Sequence, residues 1–140
     1  MIPAIVLSIL LCGSSTLLHY ECLKLLNDTL PRATAIENRA KVLAALGGAM
    51  LSHLSQILLF AGAYYLLRDK FGLGGFGGQF KDAFSSFLYF SSETYTTLGL
   101  GDIYPAGSLR MLTGIEALTG LLMLSWTASF TYLEMRRYWK

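Results

Sequence analysis

Three long stretches almost free of charge dictate what this chain can become. Residues 2–20 carry no group that charges near neutral pH except His19, residues 42–67 carry only His53, and residues 111–133 carry only Glu116. A helix needs about 20 apolar residues to cross a hydrocarbon core about 30 Å thick, and each stretch meets or approaches that length. Charged residues make up 14% of the sequence and the mean hydropathy is +0.49, far from the roughly one-quarter charged content of water-soluble domains. The expectation is an integral membrane protein with three spanning helices.

Composition also removes several classes of function. A net charge of +2, with no basic run interleaved with aromatics, gives nothing for nucleic acid to bind. Cys12 and Cys22 stand ten positions apart without a second pair or a histidine at metal-ligand spacing, so neither a disulfide framework nor a zinc site is indicated. Gly72-Leu73-Gly74-Gly75-Phe76-Gly77 matches a dinucleotide fingerprint in letters only, because no strand precedes it and no helix of a parallel sheet follows it. Asn27-Asp28-Thr29 fits a glycosylation acceptor, but it falls in a predicted cytoplasmic loop and reads as turn chemistry before Pro31. The start of the chain lacks the positive side chain of a secretory signal, so residues 1–20 are expected to stay as a helix.

Basic residues set the expected orientation. Lys24, Arg32, Arg39 and Lys41 follow the first span, and Arg136, Arg137 and Lys140 follow the third. Both groups belong on the cytoplasmic side by the positive-inside rule, which puts the N-terminus outside and the C-terminus inside. Arg68, Lys70, Lys81 and Arg110 on the other side weaken that contrast.

Between the second and third spans lie residues that neither cross the membrane nor resemble an ordinary loop. Residues 68–81 are polar and rich in glycine, and read as a flexible surface turn. Residues 82–95 read as a helix started by Asp82, with Phe84, Phe87, Leu88 and Phe90 at helical spacing, and about 20 Å of helix reaches only part-way through the core. Then comes Thr96-Thr97-Leu98-Gly99-Leu100-Gly101-Asp102. Glycine at alternate positions lets left- and right-handed backbone alternate, so that successive carbonyls point the same way. Non-helical backbone at membrane depth is tolerated where it is buried in protein or lines a water-filled path.

The run from Glu93 through this loop to Ile103-Tyr104-Pro105 resembles the potassium-channel pore family, whose filter is usually written TVGYG, in its bacterial two-helix form. Arg110 and Gly120 continue the likeness, with one position fewer between Asp102 and Arg110 than that module has. The resemblance implies an outer helix (42–67), a turret (68–81), a pore helix (82–95), a filter (96–102) and an inner helix (109–136), preceded by an extra N-terminal helix (1–20) and a cytoplasmic loop (21–41). The implied fold is an all-α membrane protein, assembled as a homotetramer in the lipid of a prokaryotic plasma membrane. The implied function is passive conduction of potassium without any cofactor.

Carried onto this sequence, the resemblance makes the carbonyls of Thr97, Leu98, Gly99 and Leu100, with the Thr97 hydroxyl at the inner end, ligands for dehydrated K+ in place of water, and Gly101 completes the filter. Glu93, Asp102, Tyr89 and Thr96 become its supports. Glu93 and Asp102 are expected to approach each other behind the filter, one holding a proton and bonding to the other. Leu100 stands where the family most often has tyrosine, which removes a hydroxyl and leaves packing on Tyr89 and Phe90. Gly120 resembles the inner-helix hinge, with close helix packing as the plainer reading, and Leu121, Leu124 and Ala128 are the expected cavity lining.

Two intramembrane groups keep more than one reading. Glu116, on a stripe with Thr113, Gly120, Thr127 and Thr131, either faces the cavity or filter base or hydrogen-bonds to a neighbouring helix. His53, with Ser52, Ser55 and Gln56, is expected to be structural, because about 9 Å of depth separates it from Glu116. A weakly selective monovalent cation channel keeps the same architecture and is separated by reversal potentials. A non-conducting assembly subunit is a more distant alternative, as is an intramembrane hydrolase on His53, which lacks a His-Glu-x-x-His pattern and a nucleophile. No span carries arginine at every third position, which argues against voltage sensing.

Overall fold

A computed structural model describes residues 2–139. Its elements run α1 (Ile2–Thr29), a 3₁₀ turn (Leu30–Arg32), α2 (Asn38–Asp69), β1 (Gly74–Gly78), α3 (Phe84–Tyr95), β2 (Ile103–Gly107) and α4 (Leu109–Tyr138). The helices α1, α2 and α4 are long and apolar enough to cross a membrane. At 12 residues, or about 18 Å, α3 is too short to do so.

The first helix is longer than the expected 1–20, because its inward stripe does not stop at Tyr20. Ser8, Leu11, Ser15, His19, Leu23 and Leu30 are all buried at spacings of one or two turns, and Pro31, which has no N–H to continue the ladder, sits where the α-helix has given way to the 3₁₀ turn. Ile9, Leu10, Leu17 and Leu25 occupy the other side and are exposed. The stripe seats α1 against α2 and α4. Much of the expected 21–41 loop is therefore helical, the connection proper being short.

The glycine-rich turret departs from the flexible turn read from composition. Gly74–Gly78 forms a strand antiparallel to Ile103–Gly107, in the register Gly74 to Gly107 and Gly78 to Ile103. Glycine is required here for contact: a Cβ on Gly78 would lie 2.0 Å from the Asp102 carbonyl oxygen, at a φ of +80°. The run that reads as loose in sequence is thus a tight ribbon. It presses on the segment that follows the candidate filter.

Asp82 is the other local departure. The helix starts at Phe84 with Ala83 in the cap position and no side-chain cap, and Asp82 instead pairs with Arg68 at the end of α2. The Arg68 guanidinium lies 4.6 Å from the Phe80 ring centroid, which favours this salt-bridged position over a cap.

Aromatic packing orients α3. Tyr64 of α2 meets Phe90 edge-on at 5.2 Å, Phe76 of β1 meets Phe90 at 4.9 Å, and Phe80 meets Phe87 at 5.1 Å. With Phe60, Leu109 and Leu112 these rings form one core that wedges the short helix between α2, α4 and the ribbon. Such contacts favour offset and edge geometries, so they fix rotation as well as distance.

Candidate functional site

The loop from Thr96 to Asp102 begins where α3 ends. Thr96 Oγ1 donates to the Ser92 carbonyl at 2.7 Å, and the Thr97 N–H reaches the Thr94 carbonyl at 3.0 Å. Glu93 then holds the next three residues. Its backbone carbonyl accepts from Leu98 N–H at 2.8 Å and Gly99 N–H at 3.2 Å, and its Oε2 accepts from Leu100 N–H at 3.0 Å.

With three N–H groups drawn to one side, the backbone alternates. Thr97, Gly99 and Gly101 have φ of +60°, +54° and +79°, and the residues between them do not enter that region. Glycine takes this conformation freely, but a β-branched threonine there is strained by about 1–3 kcal/mol, a cost that surrounding structure sustains mostly at functional sites. Among the described residues no hydrogen bond is donated to the carbonyls of Thr97, Leu98, Gly99 or Leu100. Backbone carbonyls are almost always paired when they are removed from water.

The outer end is clamped from two sides. Tyr89 donates its hydroxyl to Asp102, with its oxygen 3.1 Å from Oδ2 and 3.2 Å from Oδ1, while the Gln79 N–H at the end of β1 reaches the Asp102 carbonyl at 2.8 Å. The expected carboxyl-to-carboxyl bond between Glu93 and Asp102 does not form. Leu100 N–H takes the Glu93 side chain and Tyr89 takes Asp102. Burial, opposed by that N–H and reinforced by the charge of Asp102, pushes the Glu93 carboxyl above the usual carboxylate range. Nor does Leu100 pack on both aromatics. Phe90 is turned into the core, and Leu100 stays 61% exposed.

The polar stripe of α4 faces the protein and not a cavity. Glu116 is fully buried, with Oε2 accepting from the Tyr64 hydroxyl of α2 and Oε1 meeting Ser91 Oγ of α3, both at 2.5 Å. Gly120 lies one turn further on, where an added Cβ would be 2.0 Å from the Tyr95 carbonyl oxygen. Its missing side chain thus has a packing reason. Leu121, Leu124 and Ala128 lie elsewhere on α4 and are exposed.

The family model described as ion channel matches residues 52–135, from the middle of α2 through α3 and the loop to the last turns of α4. The chain belongs to the ion channel family. No curated protein and no solved structure matches it. All of α1 lies outside the matched region.

One part of the site could be read only dimly from sequence. His53 donates and accepts between Tyr95 (2.9 Å) and Thr127 (2.8 Å), while Gln56 is shared by Ser15, His19 and Tyr95. Ser55, grouped with them in sequence, bonds only to its own helix at the Leu51 carbonyl. His19 was visible only as the one group in residues 2–20 that charges near neutral pH. Ser8, Ser15 and His19 at spacings of seven and four were the signal that this face of α1 meets protein.

Proposed function

We propose that four copies of this chain surround one axis and conduct K+ passively through a column of backbone carbonyls. What carries this reading is the loop itself: handedness alternates at Thr97, Gly99 and Gly101, and the carbonyls of residues 97–100 accept no hydrogen bond from the described residues. One loop supplies one wall of a cage, and a cation stripped of water needs oxygens on all sides. Closed fourfold symmetry provides them with a single sequence.

In this arrangement the carbonyls of Thr97, Leu98, Gly99 and Leu100, with the Thr97 hydroxyl at the inner end, replace the hydration shell, and Glu93, Thr96, Tyr89 and Asp102 hold the loop from behind. Leu121, Leu124 and Ala128 would line the water-filled cavity below, and Gly120 would permit α4 to bend beneath its contact with Tyr95. The C-terminus is cytoplasmic and the N-terminus outside in this reading, which Arg32, Arg39 and Lys41 after α1 and Arg136 and Arg137 at the end of α4 support.

Potassium uptake by liposomes containing only the purified protein tests the proposal. K+ flux exceeding Na+ flux and blocked by Ba2+, and lost in Gly99→Ala, is the expected result; undiminished flux from Gly99→Ala would sink it. A weakly selective cation channel is the second reading, favoured by the exposed Leu100 that leaves the loop without a side-chain brace at its centre. Reversal potentials in mixed K+ and Na+ separate the two.

A further inference from the structure

A closed circuit of hydrogen bonds ties α1 to the residue from which the filter starts. Its direction follows from the donors and acceptors available. Gln56 Nε2 lies 3.3 Å from the Ser52 backbone carbonyl, which can only accept, so the amide is oriented with Oε1 toward Ser15 Oγ (2.6 Å) and the Tyr95 hydroxyl (2.9 Å). Tyr95 therefore spends its one hydrogen on Gln56 and accepts from His53 Nδ1 at 2.9 Å. With Nδ1 carrying the hydrogen, neutral His53 accepts at Nε2 from Thr127 Oγ1, 2.8 Å away. Thr127 in turn accepts from His19 Nε2 at 3.2 Å, leaving His19 Nδ1 to accept from Ser52 Oγ (3.0 Å) and Gln56 Nε2 (3.2 Å). The circuit His19, Thr127, His53, Tyr95, Gln56 and back to His19 draws on all four helices, and it closes with both imidazoles neutral.

There is no vacant place in it for another proton. The two nitrogens able to take one are His19 Nδ1 and His53 Nε2, and both already face donors. Protonation of His19 sets N–H against the Gln56 amide and makes the Ser52 hydroxyl turn over to accept. Protonation of His53 turns the Thr127 hydroxyl away and leaves Thr127 between two N–H groups. The ring centroids are 5.0 Å apart, so a charge on one disfavours a charge on the other.

Among the described residues no counter-charge is at hand to absorb the cost. On α1, Glu21 and Lys24 are exposed, and Cys22 is turned to the Gly48 carbonyl. On α2, no charged residue lies between Lys41 and Arg68. On α3, Glu93 is engaged with Leu100 N–H. On α4, Glu116 is held by Tyr64 and Ser91. His19 is fully buried and His53 half-buried, so a proton enters at His53.

We infer that the His19–His53 pair is a proton-binding site that controls the filter through Tyr95. The closed circuit holds the Tyr95 hydroxyl, and with it the start of the Thr96–Asp102 loop; a proton on His53 Nε2 breaks the bond donated by Thr127 and leaves a charged ring against Tyr95, and conduction falls. This rests on the channel reading above. Since α1 lies outside the matched family region, the site also gives the first helix a role: it supplies His19 and Ser15, half of what fixes Gln56.

The test uses the intact protein in lipid. Potassium flux into liposomes, measured from about pH 7.5 down to about pH 4, should fall in wild type by about tenfold per unit once the pair's midpoint is passed. With each variant normalised to its own flux near neutral pH, the profile of His19→Gln with His53→Gln should be flat and that of Glu93→Gln should keep the fall. A flat wild-type profile, or an unchanged fall in the double variant, overturns the inference. Nitrogen NMR of the histidines, of which the chain has two, gives a readout that does not need conduction. One Nε2–H and one Nδ1–H tautomer are expected near neutral pH, and a single imidazolium after acidification; two Nε2–H tautomers, or two imidazolium rings charging together, overturn it. Absence of flux at every pH would defeat the channel reading while the NMR result still judges the proton site.

Discussion

Substitution of Gly120 by alanine puts a number on the contact beneath the candidate filter. The new Cβ would sit 2.0 Å from the Tyr95 carbonyl oxygen and 2.8 Å from its carbon, both backbone atoms that no rotamer change can move. A carbon-to-oxygen contact needs about 3.3 Å, so α4 and the end of α3 must separate by roughly 1.3 Å. Overpacking of this kind costs about 1–3 kcal/mol, which for a chain of this size lowers a melting midpoint by about 3–12 °C. Tyr95 also anchors the step into Thr96 and Thr97, so the same shift should reduce K+ flux. Gly114→Ala is the control, since nothing lies within 4 Å of its added Cβ. The assays are thermal unfolding in detergent, with the wild type as reference, and flux in liposomes. Wild-type melting of Gly120→Ala would refute the packing argument and leave only a hinge role for the glycine.

Substitutions at three other positions probe the supports. Glu116→Ala strips the Tyr64 hydroxyl of its 2.5 Å partner and leaves a cavity between three helices, and should cost about 2–3 kcal/mol in thermal unfolding. Glu116→Gln should stay within about 1 kcal/mol of wild type, because its amide can donate to Ser91 while its oxygen accepts from Tyr64. Tyr89→Phe removes the donor to Asp102 and should raise the Na+ to K+ permeability ratio, with less than about 1 kcal/mol lost in stability because the ring is part-exposed. Glu93, whose carboxyl is raised in the folded chain, contributes stability that is complete below the ordinary carboxylate value and is lost as pH rises through the raised value. Melting midpoints should accordingly decline as pH climbs through that window, and Glu93→Gln should flatten the decline.

The spans, the short helix and the glycine loop were legible because each rests on a local rule: length of apolar run, helical spacing, alternate glycine. Where sequence reasoning went astray, a tertiary partner outbid the local preference. Asp82 is a good cap in isolation, yet Arg68 takes it. The turret glycines look flexible in isolation, but Ile103–Gly107 is close enough to pair with them, and only glycine lets Gly78 meet Asp102. Glu93 and Asp102 looked like natural partners until Leu100 N–H and Tyr89 supplied better-placed ones. The choice between cavity and helix for Glu116 needed the position of Ser91, which no periodicity reports. The His19–Tyr95 circuit was the least legible feature, since its members come from four helices and its logic depends on which hydrogen points where.

The number of chains in the working particle tests the carbonyl cage most directly. Native mass spectrometry of the purified protein released from detergent should give a complex of four chains of 15.4 kDa each. A particle of one or two chains would leave the carbonyls of residues 97–100 facing no opposite wall, and would contradict a pore built from this loop.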